Sequence, residues 1–391
     1  MKRVHTLLGA ALPAVLLATA QVAAAAPEAP GAAVTPAAAT ATQQAPGLQV
    51  VVDGLDHPRG LVALPFGIVL VAESGQQGST PCLPPSPGTA NKPACLSTTG
   101  AVTLAAQGHK VRLVDHLASI GATDGTAASG PHDVALTPHG LQVLYGYANN
   151  PTGRAGLGPS AAPLGTLSTI DWHGTQRVVA DLTAYEQAHN AGGEPGFPGL
   201  WSNPFSILHD GANTLIADSG ANTINSITPS GAISVVAVMP PRQVPAPPPA
   251  GLPPGSMIPM ESVPTGMARG PDGAVYVGEL TGFPFPVGAA RVFKIVPGQA
   301  PAVVATGFTN VIDVAFDKQG RLLVLEHATH SLLSGDGVGA LKRVEPDGSI
   351  TTLVGSGLVN PTALSVAPDG SVYIANNAVS VGTGQIVRFV P

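Results

Sequence analysis

Five oxygen-bearing side chains hold equivalent places in this chain. Glu73, Asp218, Glu279, Glu326 and Asn376 each close a short apolar run that follows a glycine-containing turn. Ahead of those turns stand Arg59, His132, Asp133, Asn203, Thr265, Asp313 and Thr362. Carboxylates with Asn and Thr oxygens are hard ligands, and a ring of Glu73, Asp218, Glu279, Asp313, Glu326 and Asn376 would suit Ca²⁺ or Mg²⁺. His132, in Gly130-Pro131-His132-Asp133-Val134, sits beside an acid and is the leading candidate for a catalytic base or ligand. A competing account gives these residues structural work. In it, the carboxylates accept backbone N–H groups from the loops above them, Arg59 pairs with a neighbouring acid, and His132 bonds a loop carbonyl. His327-Ala328-Thr329-His330 has ligand-like spacing, but it lies where a strand leaves its sheet rather than on a helix, which disfavours zinc. No Ser-His-Asp order and no cysteine nucleophile motif stands out.

The elements that must position these residues follow from a cassette that returns six times. Its clearest copies are Pro264-Thr265-Gly266-Met267-Ala268 with Pro271-Asp272-Gly273-Ala274-Val275-Tyr276-Val277, and Pro361-Thr362-Ala363-Leu364 with Pro368-Asp369-Gly370-Ser371-Val372-Tyr373-Ile374. A Pro-Asp-Gly turn between two short apolar runs signals a β-hairpin. One hairpin cannot bury its own apolar face, so repeated hairpins imply a radial array. The expected fold is all-β, a six-bladed β-propeller of four-stranded blades, with strands lettered a to d outward from the axis. The last unit stops after strand c, at Gln385–Phe389, and Leu48–Val52 ahead of the first unit supplies the missing strand and closes the ring. The turns joining a to b and c to d are short and share one face. The long insertions share the other, which makes it the expected binding face, ringed at its centre by Arg59, Asp133, Asn203, Thr265 and Thr362. A short helix is expected at Asp181–His189. Within Gly282-Phe283-Pro284-Phe285-Pro286-Val287-Gly288, Phe283 and Phe285 either line that face or plug a loop over blade 4.

Composition narrows the class. The chain has 391 residues, 48 Gly, 40 Pro and 10% charged residues. Lys2, Arg3 and His5, the apolar run from Leu7 to Ala20 and the small residues Ala23–Ala26 read as a signal peptide over 1–26, which implies an exported protein. Residues 27–46 read as a disordered Ala/Pro-rich linker, leaving 47–391 for the propeller. Losing Lys2 and Arg3 takes the net charge from −6 to −8, which argues against nucleic acid as a partner. No stretch of the mature chain is expected to span a bilayer, and a monomer is expected. In an exported protein Cys82 and Cys95 read as a disulfide closing a surface loop, worth about 3 kcal/mol in the chain-entropy model.

Several segments are similar to the ScyD/ScyE family. They are Glu261–Thr265, Gly278–Val292 with its Gly-Phe-Pro-Phe-Pro run, Ala305–Asp313, Gly130–Val134 and Leu332–Asp336. The resemblance covers about 48–391 and implies an exported six-bladed propeller related to NHL-type and streptogramin-lyase-like repeats, with no general activity attached. The family takes its name from the gene cluster for scytonemin, and no role in pigment synthesis is carried over. His57 stands where that family usually has Asn. Two functions remain open at this point. One is a binding or assembly protein that holds a small molecule or protein partner on its loop-rich face. The other is a metal-dependent hydrolase, lactonase or lyase at the channel mouth.

Overall fold

The computed structural model describes residues 47–84, 92–193, 201–247 and 252–391. The expected signal peptide and linker lie outside the described residues. Short, β-branched runs with inward and outward alternation fold into six sheets around one axis. Blade 1 is built on Pro58–Ala63, Val69–Glu73, Ala94–Ala106 and His109–Ala122, and blade 2 on Pro131–Thr137, Gly140–Tyr145, Thr166–Asp171 and Gln176–Asp181. Blade 3 comprises Pro204–Asp210, Asn213–Asp218, Thr223–Ile227 and Ile233–Val238. Blade 4 comprises Pro264–Arg269, Val275–Glu279, Ala290–Ile295 and Ala302–Phe308. Blade 5 comprises Val311–Phe316, Leu322–Glu326, Ala340–Val344 and Ile350–Val354.

Blade 6 has three consecutive strands, Ala363–Val366, Val372–Asn376 and Gly384–Phe389. Its fourth is the N-terminal strand Leu48–Leu55, antiparallel to the third with Leu48 opposite Phe389 and Val50 opposite Val387. The N-terminal strand covers the edge of Gly384–Phe389 and so joins the chain's two ends in one blade. The inner strands pack side by side in ring order, the first against the last. Apolar layers between neighbouring blades form the core, as where Leu55, Val71, Tyr373 and Ile386 join blades 6 and 1. In the Pro-Asp-Gly turn of blade 4, Gly273 takes φ 78° and the Asp272 carboxylate accepts the Ala274 N–H.

Blade 1 departs from four strands. Its two outer strands run on beyond the sheet, and Cys82–Leu83 and Ala128–Ser129 add short pairings to them. The cause is sequence that stays apolar past the blade, with Ala94 and Leu117 to Ala122 buried. The Cys82–Cys95 disulfide links two directly paired residues of this extension. A helix spans Leu182–His189, and the Asp181 carboxylate accepts the Ala184 N–H at its start. Among the described residues no helix is long and apolar enough to cross a membrane.

Candidate functional site

The inner strands begin with a slip in register. In blades 1 to 5 the pairing of strand a with strand b is interrupted just after its first residue. Such a bulge turns a carbonyl away from its own sheet. The carbonyl at each of the six strand entries accepts a hydrogen bond from a side chain of the preceding blade. Thr362 Oγ1 donates to Pro58 O at 2.8 Å, Ser74 Oγ to Pro131 O at 3.0 Å, and His132 Nδ1 to Pro204 O at 3.2 Å. Ser219 Oγ donates to Pro264 O, Thr265 Oγ1 to Val311 O at 3.0 Å, and His327 Nδ1 to Pro361 O at 2.8 Å. The donors alternate around the ring. Blades 2, 4 and 6 use the residue after the entry proline (His132, Thr265, Thr362). Blades 1, 3 and 5 use the residue after the last of strand b (Ser74, Ser219, His327). At Gly146, after strand b of blade 2, a Cβ would lie 2.4 Å from the His132 ring, so that blade has room for one donor only.

A second tier lies one residue further in. Asp133 accepts the Val134 N–H at 2.8 Å and the Ile207 N–H of blade 3 at 2.7 Å. Asp313 repeats this on Val314 and on Leu364 of blade 6. Gly60 and Gly266 make room, since a Cβ would stand 2.0 Å and 1.8 Å from the respective carboxylates. Burial raises Asp133 to about 7 and Asp313 to about 8 against the backbone bonds that lower them, and the charge of Asp133 adds to the rise at Asp313.

The candidate metal ligands are not brought together. Glu73 accepts the Asp56 N–H at 2.7 Å and the Thr103 hydroxyl. Asp218 takes the Asn203 N–H at 2.7 Å and the Ser202 hydroxyl at 2.6 Å. Glu279 takes Ser262 Oγ and a two-pronged Arg291 at 2.8 and 2.6 Å. Glu326 takes the Thr309 N–H at 2.7 Å and Lys342, and Asn376 the Val359 N–H at 2.7 Å. Each residue ties its own blade to the loop leading into it, and Asp313 serves the second tier. Among the described residues no three His, Cys, Asp or Glu side chains converge to hold a metal ion. The donor set does not fit a Ca²⁺ or Mg²⁺ centre.

Other candidates scatter. Asn203 accepts the Tyr147 N–H and faces a loop, and Thr265 is spent on two carbonyls. Phe285 is buried, and Phe283 packs beneath the hairpin of Arg242–Pro245 and Met257–Met260, against Val244, Ile258 and Met260. Of the two expected roles for this pair, the structure has the loop plug.

What remains is the channel itself. A cavity of about 580 Å³ runs down the axis along all six inner strands, from Arg59, His132 and Thr362 to Leu136, His209 and Phe316. Side chains at the first end are buried, with Arg59 7% exposed, whereas Leu136 at the other is 47% exposed. The cavity therefore opens on the side of the short a–b turns. At the insertion side the extension of blade 1 covers it, and Arg59 Nη2 donates to Ala128 O there at 2.8 Å. The expectation of an open mouth on the insertion face is corrected: the extension of blade 1 closes that end of the channel.

Arg59 has no carboxylate partner among the described residues, its Nε is buried without a partner, and burial lowers it to about 10. His57, His132 and His327 feel its charge. Burial is the main cause in holding them at about 4, 3 and 4, so all three are neutral at physiological pH. Each gives Nδ1 to a carbonyl, His57 to that of Gly75, and leaves a buried Nε2 lone pair without a partner. A ring with so low a pKa is a weak general base at neutral pH. Sequence reasoning passed over His57 as a family departure and His327 as a failed zinc pair. Their signal was position, next to the first residue of strand a or the last of strand b.

Comparisons with known proteins correct the family resemblance. No family model matches the chain and no curated protein matches it. Solved structures similar to it include a gluconolactonase from Xanthomonas campestris (11% identity, 88% of this chain and 89% of that one, TM-score 0.47). Also similar are virginiamycin B lyase from Staphylococcus aureus (13%, 88% and 85%, TM-score 0.44) and the PQQ-bound aldose sugar dehydrogenase from Streptomyces coelicolor (16%, 87% and 97%, TM-score 0.47). Membership of the ScyD/ScyE family and its NHL-type repeats is thus not upheld. At such identities and TM-scores no activity carries across.

Proposed function

We propose that this exported protein binds a small molecule inside its central channel, admitted from the face of the short a–b turns. The observation that carries this reading is the cavity of about 580 Å³, within the range of small-molecule sites, with mostly apolar walls and a few polar groups at its closed end. On the loop-rich face, expected to bind, the extension of blade 1 closes the channel. A second reading, hydrolysis or elimination performed on the bound molecule, is favoured by the two channel carboxyl groups. At about 7 and about 8, Asp133 and Asp313 exchange protons near neutral pH, as general acids and bases must. Neither reading needs a metal on the strand-b carboxylates.

The test uses phenylnaphthylamine, a neutral apolar dye that brightens out of water. It should bind the full chain, and Ala315→Trp, which fills the channel between its ends, should abolish the signal while the fold persists by circular dichroism. Dye binding that ignores Ala315→Trp, or no binding at all, would count against the channel.

A further inference from the structure

The channel has a charge at its closed end that forms no ion pair with any carboxylate among the described residues. Arg59 lies in the wall at that end, buried, with one bond to a carbonyl and a buried Nε that has no partner among the described residues. A buried guanidinium without a counter-charge is costly, and a carboxylate that brings its own charge and lone pairs removes that cost. Below it the lining becomes mostly apolar, with Phe205, Ile207, Met267, Leu364 and Phe316 among its residues. Four residues of strand separate His132 from Leu136, about 13 Å at ~3.3 Å per residue. That depth suits a chain of about eight carbons rather than a compact polar ligand.

Resting on the channel reading, we propose that the ligand is an amphipathic monocarboxylic acid, its carboxylate on Arg59 and its apolar body along the inner strands toward the a–b turns. The charged and titratable groups facing the channel are Arg59, His132, Asp133, His209, Arg269 and Asp313. His132 is neutral, and Arg269 is engaged by Asp210 at 2.9 Å. His209 lies at the open end, so at the closed end Asp133 and Asp313 set the pH response. Protonated, they tolerate an anion; ionised, they repel it.

Octanoate and octanol share an apolar body and differ at the head. Each is titrated against bound phenylnaphthylamine in the full chain, expressed so that Cys82 and Cys95 pair. At about pH 6 octanoate should displace the dye at roughly 10- to 100-fold lower concentration than octanol, the range of one charge-assisted pair. Arg59→Met and Arg59→Gln should bring that ratio near one. Raising the pH to about 9 should shrink the ratio in the unaltered protein, a readout that does not depend on the variants folding. Dye binding with no preference for octanoate, or a preference that ignores both Arg59 and pH, overturns the carboxylate inference and leaves the channel standing. Failure of the dye to bind removes both.

Discussion

Raising the pH should destabilise this protein through two carboxyl groups. Burial lifts Asp133 to about 7 and Asp313 to about 8 in the folded state, whereas both titrate near ~4 in the unfolded chain. A carboxyl with a raised folded pKa binds its proton more tightly when folded. Its penalty is absent below the unfolded pKa, grows as pH rises, and is complete above the folded pKa. From about pH 5.5 to about pH 9 the penalty grows by about 2 kcal/mol for Asp133 and about 3 kcal/mol for Asp313, at ~1.4 kcal/mol per pH unit. Both side chains keep some exposure to the channel, so these are upper figures. At roughly 2 °C per kcal/mol for a domain of this size, Tm should fall by up to about 10 °C. Glu186, raised to about 7 by burial and by Asp218, pushes the same way. The double variant Asp133→Asn/Asp313→Asn isolates the channel pair. It should be less stable at low pH, because each new amide opposes one of two backbone N–H groups, yet its Tm should fall with pH less than half as steeply. The assay is a calorimetric scan at closely spaced pH values. A Tm that climbs toward pH 9, or an unaltered slope in the double variant, refutes the reasoning.

Other outcomes follow from the same contacts. Gly60→Ala and Gly266→Ala drive a methyl into the next blade's carboxylate and should each cost at least about 1–3 kcal/mol in urea unfolding. Gly156→Ala meets nothing within 4 Å and serves as the control, moving stability by less than about 0.5 kcal/mol. Glu279→Gln breaks the buried pair with Arg291 and should cost about 3–5 kcal/mol, while elemental analysis finds the same bound metal as in the unaltered protein. Deleting Leu48–Leu55 bares the edge of Gly384–Phe389, and size-exclusion chromatography should show association that an added peptide of that sequence reverses.

The fold was legible because strand signals are local. Pro271-Asp272-Gly273 and Pro368-Asp369-Gly370 name their own turns, and the unit lacking a last strand at Phe389 points directly to Leu48–Val52 at the far end of the chain. The short helix expected at Asp181–His189 forms over Leu182–His189, with Asp181 as its cap. The site was less legible because it depends on which way each first residue of strand a turns after its bulge. Sequence places Glu279 at the end of a strand b and Asp313 near the start of a strand a, but only coordinates put Arg291 on one and the Leu364 N–H on the other. Arg59 was expected to pair with a neighbouring acid, yet Asp56, three residues before it, is taken by Arg112 at 3.0 Å and Arg59 is left to the channel. The Gly282–Gly288 run looked like a family signature, but it forms a local turn that buries Phe285 and seats Phe283 under the hairpin. Leu117, Ala118, Ile120 and Ala122 read in sequence as an ordinary insertion. Their burial, which extends blade 1 past its sheet and decides which end of the channel is shut, depends on partners far along the chain.

The central claim is that this propeller works through its channel, from the side opposite its long loops. The most direct measurement is an anomalous difference map from crystals soaked in terminally brominated octanoate. The account predicts bromine near Leu136 and Phe316 at the a–b turns, with the carboxylate on Arg59. Bromine over the insertion loops, or against Met260 and Phe283 beneath the hairpin, with an empty channel, would contradict it.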